Sequence, residues 1–172
     1  MRHLKRVIVV VILGAIFQPL AKAAERYPFE IIVTCVANPK CIFSDGDIEL
    51  NIKIKNISSK TVGLNTHYIR RVGPYIKLTD LTTGKSIDLS VNLASPDLLQ
   101  EYEQLRPGTS VEFNEKLLAY QIKNFGDQSV NLLVRVAFPG NFVVAQQAPK
   151  SFDKEAIIKI TDTRNYGKVY IR

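Results

Sequence analysis

Past the first few residues the chain carries a single histidine, His67, so any imidazole chemistry in its body passes through that ring. A Ser-His-Asp triad would need a strained nucleophile turn, and no Gly-x-Ser-x-Gly is present. A zinc site draws on several His or Cys ligands, which one His and two Cys supply poorly. Asp97, Glu101 and Glu103 stand close enough for a two-carboxylate glycosidase, but general-acid work needs one of them buried, and their polar setting reads as exposed. Asp45, Asp47 and Glu49 alternate around Gly46 without the further ligands a calcium loop requires; solvated turn acids are the plainer reading. No glycine-rich phosphate loop is found. The inventory points away from an enzyme and implies no cofactor and no metal.

Recognition chemistry is better represented. His67, Tyr68, Arg70, Arg71 and Tyr75 lie in one short stretch, and Tyr and Arg are the types enriched at protein-binding hot spots. Arg makes paired hydrogen bonds to carboxylates, and Gly73-Pro74 would stiffen a loop and lower its cost of docking. The plainer alternative is that Tyr68 and Tyr75 flank core strands while both arginines are solvated. A second candidate surface is the acidic segment 97–105 beside Tyr102. A third is the connection 139–150, whose Phe142, Val143 and Val144 either tuck under the fold or await a partner.

The elements that must hold these residues are strands. Ile48, Leu50, Ile52 and Ile54 alternate with Glu49, Asn51, Lys53 and Lys55, the period of a strand with one buried face. Val130, Leu132, Val134, Val136 and Phe138 repeat the pattern. Further strands are expected over 31–35, 62–65, 75–80, 86–89, 110–114, 156–161 and 168–171, the last two joined by a turn at Asn165-Tyr166-Gly167. Ser95-Pro96 opens a short surface helix or irregular crossover that Arg106-Pro107-Gly108 ends, and 117–121 reads as a turn or one helical turn. The expected fold is an all-β, immunoglobulin-like antiparallel β-sandwich of seven to nine strands with at most one short helix, a closed barrel being second.

The amino-terminal segment sets the compartment. Arg2, Lys5 and Arg6 precede an apolar run from Val7 to Phe17, and Ala21-Lys22-Ala23 offers small residues at signal-peptidase spacing. The run covers about half of a bilayer core, too little for a stable anchor. Residues 1–23 are thus expected to be a secretory signal peptide and 24–172 one exported domain, periplasmic or secreted, with no stable membrane insertion. Losing Arg2, Lys5, Arg6 and Lys22, and no acid, lowers the formal charge from +7 to +3 and removes most of the case for nucleic acid. In an oxidising space Cys35 and Cys41 are expected to pair around the Asn38-Pro39 turn, worth about 2–2.5 kcal/mol in the chain-entropy model.

The alternating run 48–56, then Ser58-Ser59-Lys60-Thr61-Val62, Asp80, Gly84-Lys85 and Leu105-Arg106-Pro107-Gly108-Thr109-Ser110 carry a resemblance covering about 48–138. The chain resembles immunoglobulin-like domains of the bacterial proteinase-inhibitor type and the amino-terminal β-domain of deuterolysin-like metallopeptidases. The peptidase His-Glu-x-x-His is absent, so the resemblance implies a fold and not that activity. The resulting expectation is an exported, non-enzymatic binder of another protein, such as a periplasmic inhibitor or immunity-type protein blocking an enzyme. An envelope or surface-fibre assembly component, either subunit or chaperone, is the alternative.

Overall fold

A computed structural model describes residues 27–126, 129–145 and 147–163. The expected leader (1–23) and the expected strand over 168–171 with its turn lie outside the described residues. In chain order the elements are β1 (Phe29–Cys35), β2 (Ile42–Phe43), β3 (Ile48–Asn56), β4 (Val62–Leu64), α1 (Thr66–Val72), β5 (Tyr75–Asp80) and β6 (Ser86–Asp88). There follow a 3₁₀ turn (Pro96–Gln100), β7 (Glu103–Leu105), β8 (Ser110–Leu117), α2 (Ala119–Lys123), β9 (Asn131–Ala137), β10 (Asn141–Val144), β11 (Lys150–Ser151) and β12 (Glu155–Asp162).

These strands make an all-β sandwich. Sheets β1-β3-β8 and β2-β12-β9-β5-β6 each turn one apolar face inward, and a smaller sheet β11-β10-β4-β7 extends the first. All pairings are antiparallel except β2 with β12. The period-two pattern of β3 is realised in full: Ile48, Leu50, Ile52 and Ile54 are buried while the residues between them reach the surface. They meet Leu78, Leu132, Val134, Val136 and Ile160 from the other sheet in one hydrophobic cluster.

The described residues hold twelve strands rather than seven to nine, because β2, β7, β10 and β11, of two to four residues each, add to those expected. Such lengths show no periodicity. Three short helical segments replace the single one expected. The 3₁₀ turn begins where Ser95 predicted, its hydroxyl accepting from the Asp97 amide, but it stops before the chain re-enters a sheet as β7. The 139–150 connection is the β10–β11 hairpin, and Phe142 tucks inward at 3% exposure. Cys35 and Cys41 form the expected disulfide, Cα atoms 5.4 Å apart, tying the end of β1 to the start of β2. Buried disulfides belong to chains that fold in an oxidising compartment. No helix among the described residues is long and apolar enough to cross a membrane.

Two polar corners hold the turns. Asp80 ends β5, and its carboxylate accepts from the Thr82 amide (2.8 Å) and the Thr83 hydroxyl (2.7 Å). Burial acts to raise its pKa, but the hydrogen bonds from Thr83 and Thr82 outweigh burial and hold it below the ordinary 3.8. The other corner is Asn56, fully buried where β3 kinks into β4. Its Nδ2 donates to the carbonyls of Lys60 (2.8 Å) and Leu105 (2.9 Å), and its Oδ1 accepts from the Ser58 amide and hydroxyl. Its backbone pairs with Thr109 and with Gly108, whose φ of 78° lets the β7–β8 strand bend at the same level. Asn56-Ile57-Ser58 matches the Asn-x-Ser acceptor triplet for glycosylation, but in the folded chain the Asn56 amide is buried and both its hydrogens are in use.

Replacing Asn56 by Asp removes both buried donations, and we expect a loss of about 2–4 kcal/mol in urea unfolding, with the fold's circular dichroism retained at low temperature. A loss below about 0.5 kcal/mol would remove Asn56 from this role. For Asp80 the folded-state pKa is depressed, so its contribution is complete above pH of about 4 and lost as pH falls through the folded value. The stability gap between wild type and Asp80→Ala is expected to shrink between pH 6 and about pH 3; a constant gap would contradict the sign.

Candidate functional site

Five residues in the stretch from His67 to Tyr75 are separated by the structure. His67, Tyr68, Arg70 and Arg71 lie on α1, not on a loop, and Tyr75 is the first residue of β5. Thr-His-Tyr-Ile-Arg-Arg-Val is weak in helix formers, which is why the sequence read as a loop. What makes it helical is burial: Ile69 and Val72, three apart, are 0% and 4% exposed. Arg70 and Arg71 fall in the last turn, where cations favour the helix, and Gly73 (φ 82°) closes it by donating to the Ile69 carbonyl.

With about 100° per residue, neighbours on this helix face different ways. Arg70 turns toward β8. Its guanidinium donates to the Glu112 carbonyl at 3.2 Å and sits 4.9 Å over the Phe113 ring. This contact covers part of the free side of an edge strand, which gives Arg70 a part in holding the fold. His67 and Arg71, one turn apart, share the exposed face next to Arg70, with Tyr68 half-buried beside them. Tyr75 is 47% exposed, but it stands opposite Ala137 on the outer face of the five-stranded sheet, away from the helix surface.

The acidic segment, a separate candidate in the sequence, is brought to this helix. Leu64 pairs with Glu103 across β4 and β7, which sets Glu103 to accept from the Thr66 hydroxyl at 2.6 Å. Glu101 then reaches His67 Nδ1 at 3.0 Å, with both side chains more than half exposed. A further contact was invisible in the sequence: the Asn92 amide donates to the Val72 carbonyl and pins the 89–95 connection to the end of α1. Leu93, next to it, is 92% exposed. The α1 ridge thus carries Tyr68, Arg71 and the His67–Glu101 pair, and the connection pinned to its end carries the exposed Leu93. Together they display charge, hydrogen-bonding groups and an apolar side chain to solvent.

The acids near Gly46 are each engaged by protein groups. Asp45 pairs with Lys123 (3.2 Å), Asp47 accepts from the Ala119 amide (2.8 Å), and Lys116 reaches Glu49 (3.8 Å). Among the described residues no group of three or more His, Cys, Asp or Glu is placed to hold a metal.

No protein-family model matches the chain, and no curated protein matches it. Among solved structures it is similar to Northeast Structural Genomics Consortium target SoR45, at TM-score 0.43 and 10% identity over 84% of this chain and 92% of that one. It is also similar to a Bordetella pertussis protein described as ApaA, at TM-score 0.42 and 14% identity over 80% and 97% of the two chains. A β-glucosidase from Listeria innocua is similar at TM-score 0.39 and 12% identity, over 78% of this chain but 16% of that one.

The neighbouring arginines should separate by mutation. Arg70→Ala is expected to cost about 1–2 kcal/mol of stability by uncovering Phe113 and the β8 edge. Arg71→Ala is expected to stay within about 0.5 kcal/mol of wild type. Equal effects in chemical denaturation would refute the division of roles.

Proposed function

We propose that this chain is an exported, non-enzymatic protein-binding sandwich, periplasmic or secreted, whose α1 ridge blocks a partner enzyme. The observation that carries the reading is that the connection bearing the exposed Leu93 is hydrogen-bonded, through the Asn92 amide, to the end of the helix that displays Tyr68 and Arg71. A nearly fully exposed leucine on a segment tied to a helix bearing Arg and Tyr is the composition of an interface core with its polar rim. The ridge stands on a seven-residue helix, a 3₁₀ turn and a pinned connection, so little ordering entropy is lost on docking. Such a knob suits an apolar recess bordered by carboxylates, which Arg71 would engage, as an enzyme cleft provides. The disulfide and the basic–apolar leader support export; the poor catalytic inventory supports binding over catalysis.

The test is capture from envelope extract with the purified protein as bait, followed by assay of the recovered enzyme. Wild type is expected to retain one specific protein and inhibit it; Leu93→Asp with Arg71→Glu should weaken capture at least about tenfold at unchanged melting temperature. Tyr75→Ser should capture as wild type. Recovery of no specific protein across several salt concentrations, or equal capture by the ridge variant, would overturn the reading.

A further inference from the structure

The five-stranded sheet has an open margin along β12. On one side β12 pairs with β9 from Glu155 to Thr161, but on the other β2 meets only Thr161 and Asp162. The stretch from Glu155 to Lys159 is therefore an edge. Hydrogen-bonding directions alternate along an antiparallel strand, and two bonds fix their phase here. The Asp162 amide donates to the Val130 carbonyl on the β9 side, and the Thr161 amide to the Cys41 carbonyl on the β2 side. Glu155, Ile157 and Lys159, in phase with Thr161, thus point their N–H and C=O groups outward. β1 runs past this margin in the facing sheet, and among the described residues no backbone hydrogen bond joins it to β12. Ile157 is 50% exposed on the margin, and Ala156 and Ile158 are only partly buried against the core.

We propose that β12 pairs with β12 of a second copy of this chain about a two-fold axis through Ile157, joining the two five-stranded sheets into one. The strand's own residues select that partner. About this axis Glu155 faces Lys159 of the copy, Lys159 faces its Glu155, and Ile157 meets Ile157, so each charge is set against its opposite. These are also the residues whose backbone groups point outward, so every such pair can exchange both N–H···O=C bonds. On the inner face Ala156 falls opposite Ile158 of the copy, which covers side chains that are now only partly buried. Glu155 already accepts from Arg135 at 2.9 Å through Oε1, and a carboxylate has room for a second donor. The open length fits as well. β12 begins at Glu155, after the chain has left β11 in the smaller sheet, so residues 155–159 fill the margin short of β2. Moving the axis by one residue loses both charge pairs, and toward the carboxyl end it runs into Thr161, which β2 occupies. A charged residue on an edge strand ordinarily guards against pairing. Here the alternation of Glu155, Ile157 and Lys159 repels other strands and accepts its own copy.

β12 carries none of the ridge residues, so this dimer and the proposed blocking function fail separately. The test is sedimentation equilibrium over a concentration series, on protein purified from cells expressing the full chain. Wild type is expected to associate reversibly to a dimer with a dissociation constant in the micromolar range, as suits a small interface. Glu155→Lys and Lys159→Glu, both at exposed positions, each set like charges against each other across the axis. Either should raise the dissociation constant at least about tenfold with the melting temperature little changed. An equimolar mixture of the two variants should recover the dimer, because every pair across the axis is again opposite in sign; a variant that merely failed to fold could not do so. Amide exchange at Ile157 and Lys159 should slow as the protein concentration rises. A monomer at every concentration up to about 1 mM, or charge variants that associate as wild type does, would overturn the proposal. So would a mixture that stays monomeric, or protection of those amides that is independent of concentration, which would mean the edge is closed within one chain.

Discussion

The carboxamide of Asn56 is buried with both donors and its acceptor in use, and the reason lies in a bend of the backbone. The β3–β8 ribbon leaves its sheet and continues as the β4–β7 ribbon, so the ladder is broken between Lys55–Ser110 and Val62–Leu105. A break of that kind strands carbonyl groups where water cannot follow. Leu105 is such a carbonyl, and Asn56 Nδ2 reaches both it and the more open Lys60 carbonyl, which also accepts from the Ser58 hydroxyl. Asp could not donate and Ser is too short. A planar amide with two donors is the side chain that lets this ribbon bend without leaving buried groups unpaired.

The position of the candidate ridge follows from that bend. Helix α1 leaves the end of β4, and the acidic segment enters the start of β7. Because Leu64 is opposite Glu103, the first residues beyond β4 lie beside those preceding β7. Thr66 with Glu103, and His67 with Glu101, are the consequences. A register shift of one residue would carry the carboxylates to the opposite face of the small sheet. Exposed pairs of this type add little stability, so the strands and the Thr66–Glu103 hydrogen bond set the arrangement and the His67–Glu101 contact only reports it.

Legibility in the sequence tracked the range of the interactions involved. Strands β3 and β9 announced themselves because seven or more residues in period two leave a pattern that one-sided burial alone produces. The cysteine pair was legible because six positions and an Asn-Pro turn bring the sulfurs together locally. Helix α1 was not, since its residues favour helix weakly and the burial of Ile69 and Val72 that stabilises it comes from distant strands. Nor was the role of Asn56, whose Leu105 partner lies 49 positions away. An asparagine in a polar turn reads as turn chemistry, and only the three-dimensional bend reveals the second half of its hydrogen bonding.

The candidate ridge is not all that depends on this corner. On one side the bend aims β4 and β7 and thereby places α1 beside the acidic segment. On the other, the turn that Asn56 closes is built from Ser58 and Lys60, and the Ser58 hydroxyl is held by Asn56 Oδ1 at 2.8 Å. Lys60 is fixed through its backbone carbonyl, so its ammonium group keeps a fixed origin while the stem remains free to adjust. A buried, fully satisfied amide is rigid because any alternative rotamer leaves several groups unpaired in a low-dielectric interior. That rigidity is what a recognition surface needs from the scaffold beneath it, since side chains that dock must be presented from backbone that does not have to be ordered again.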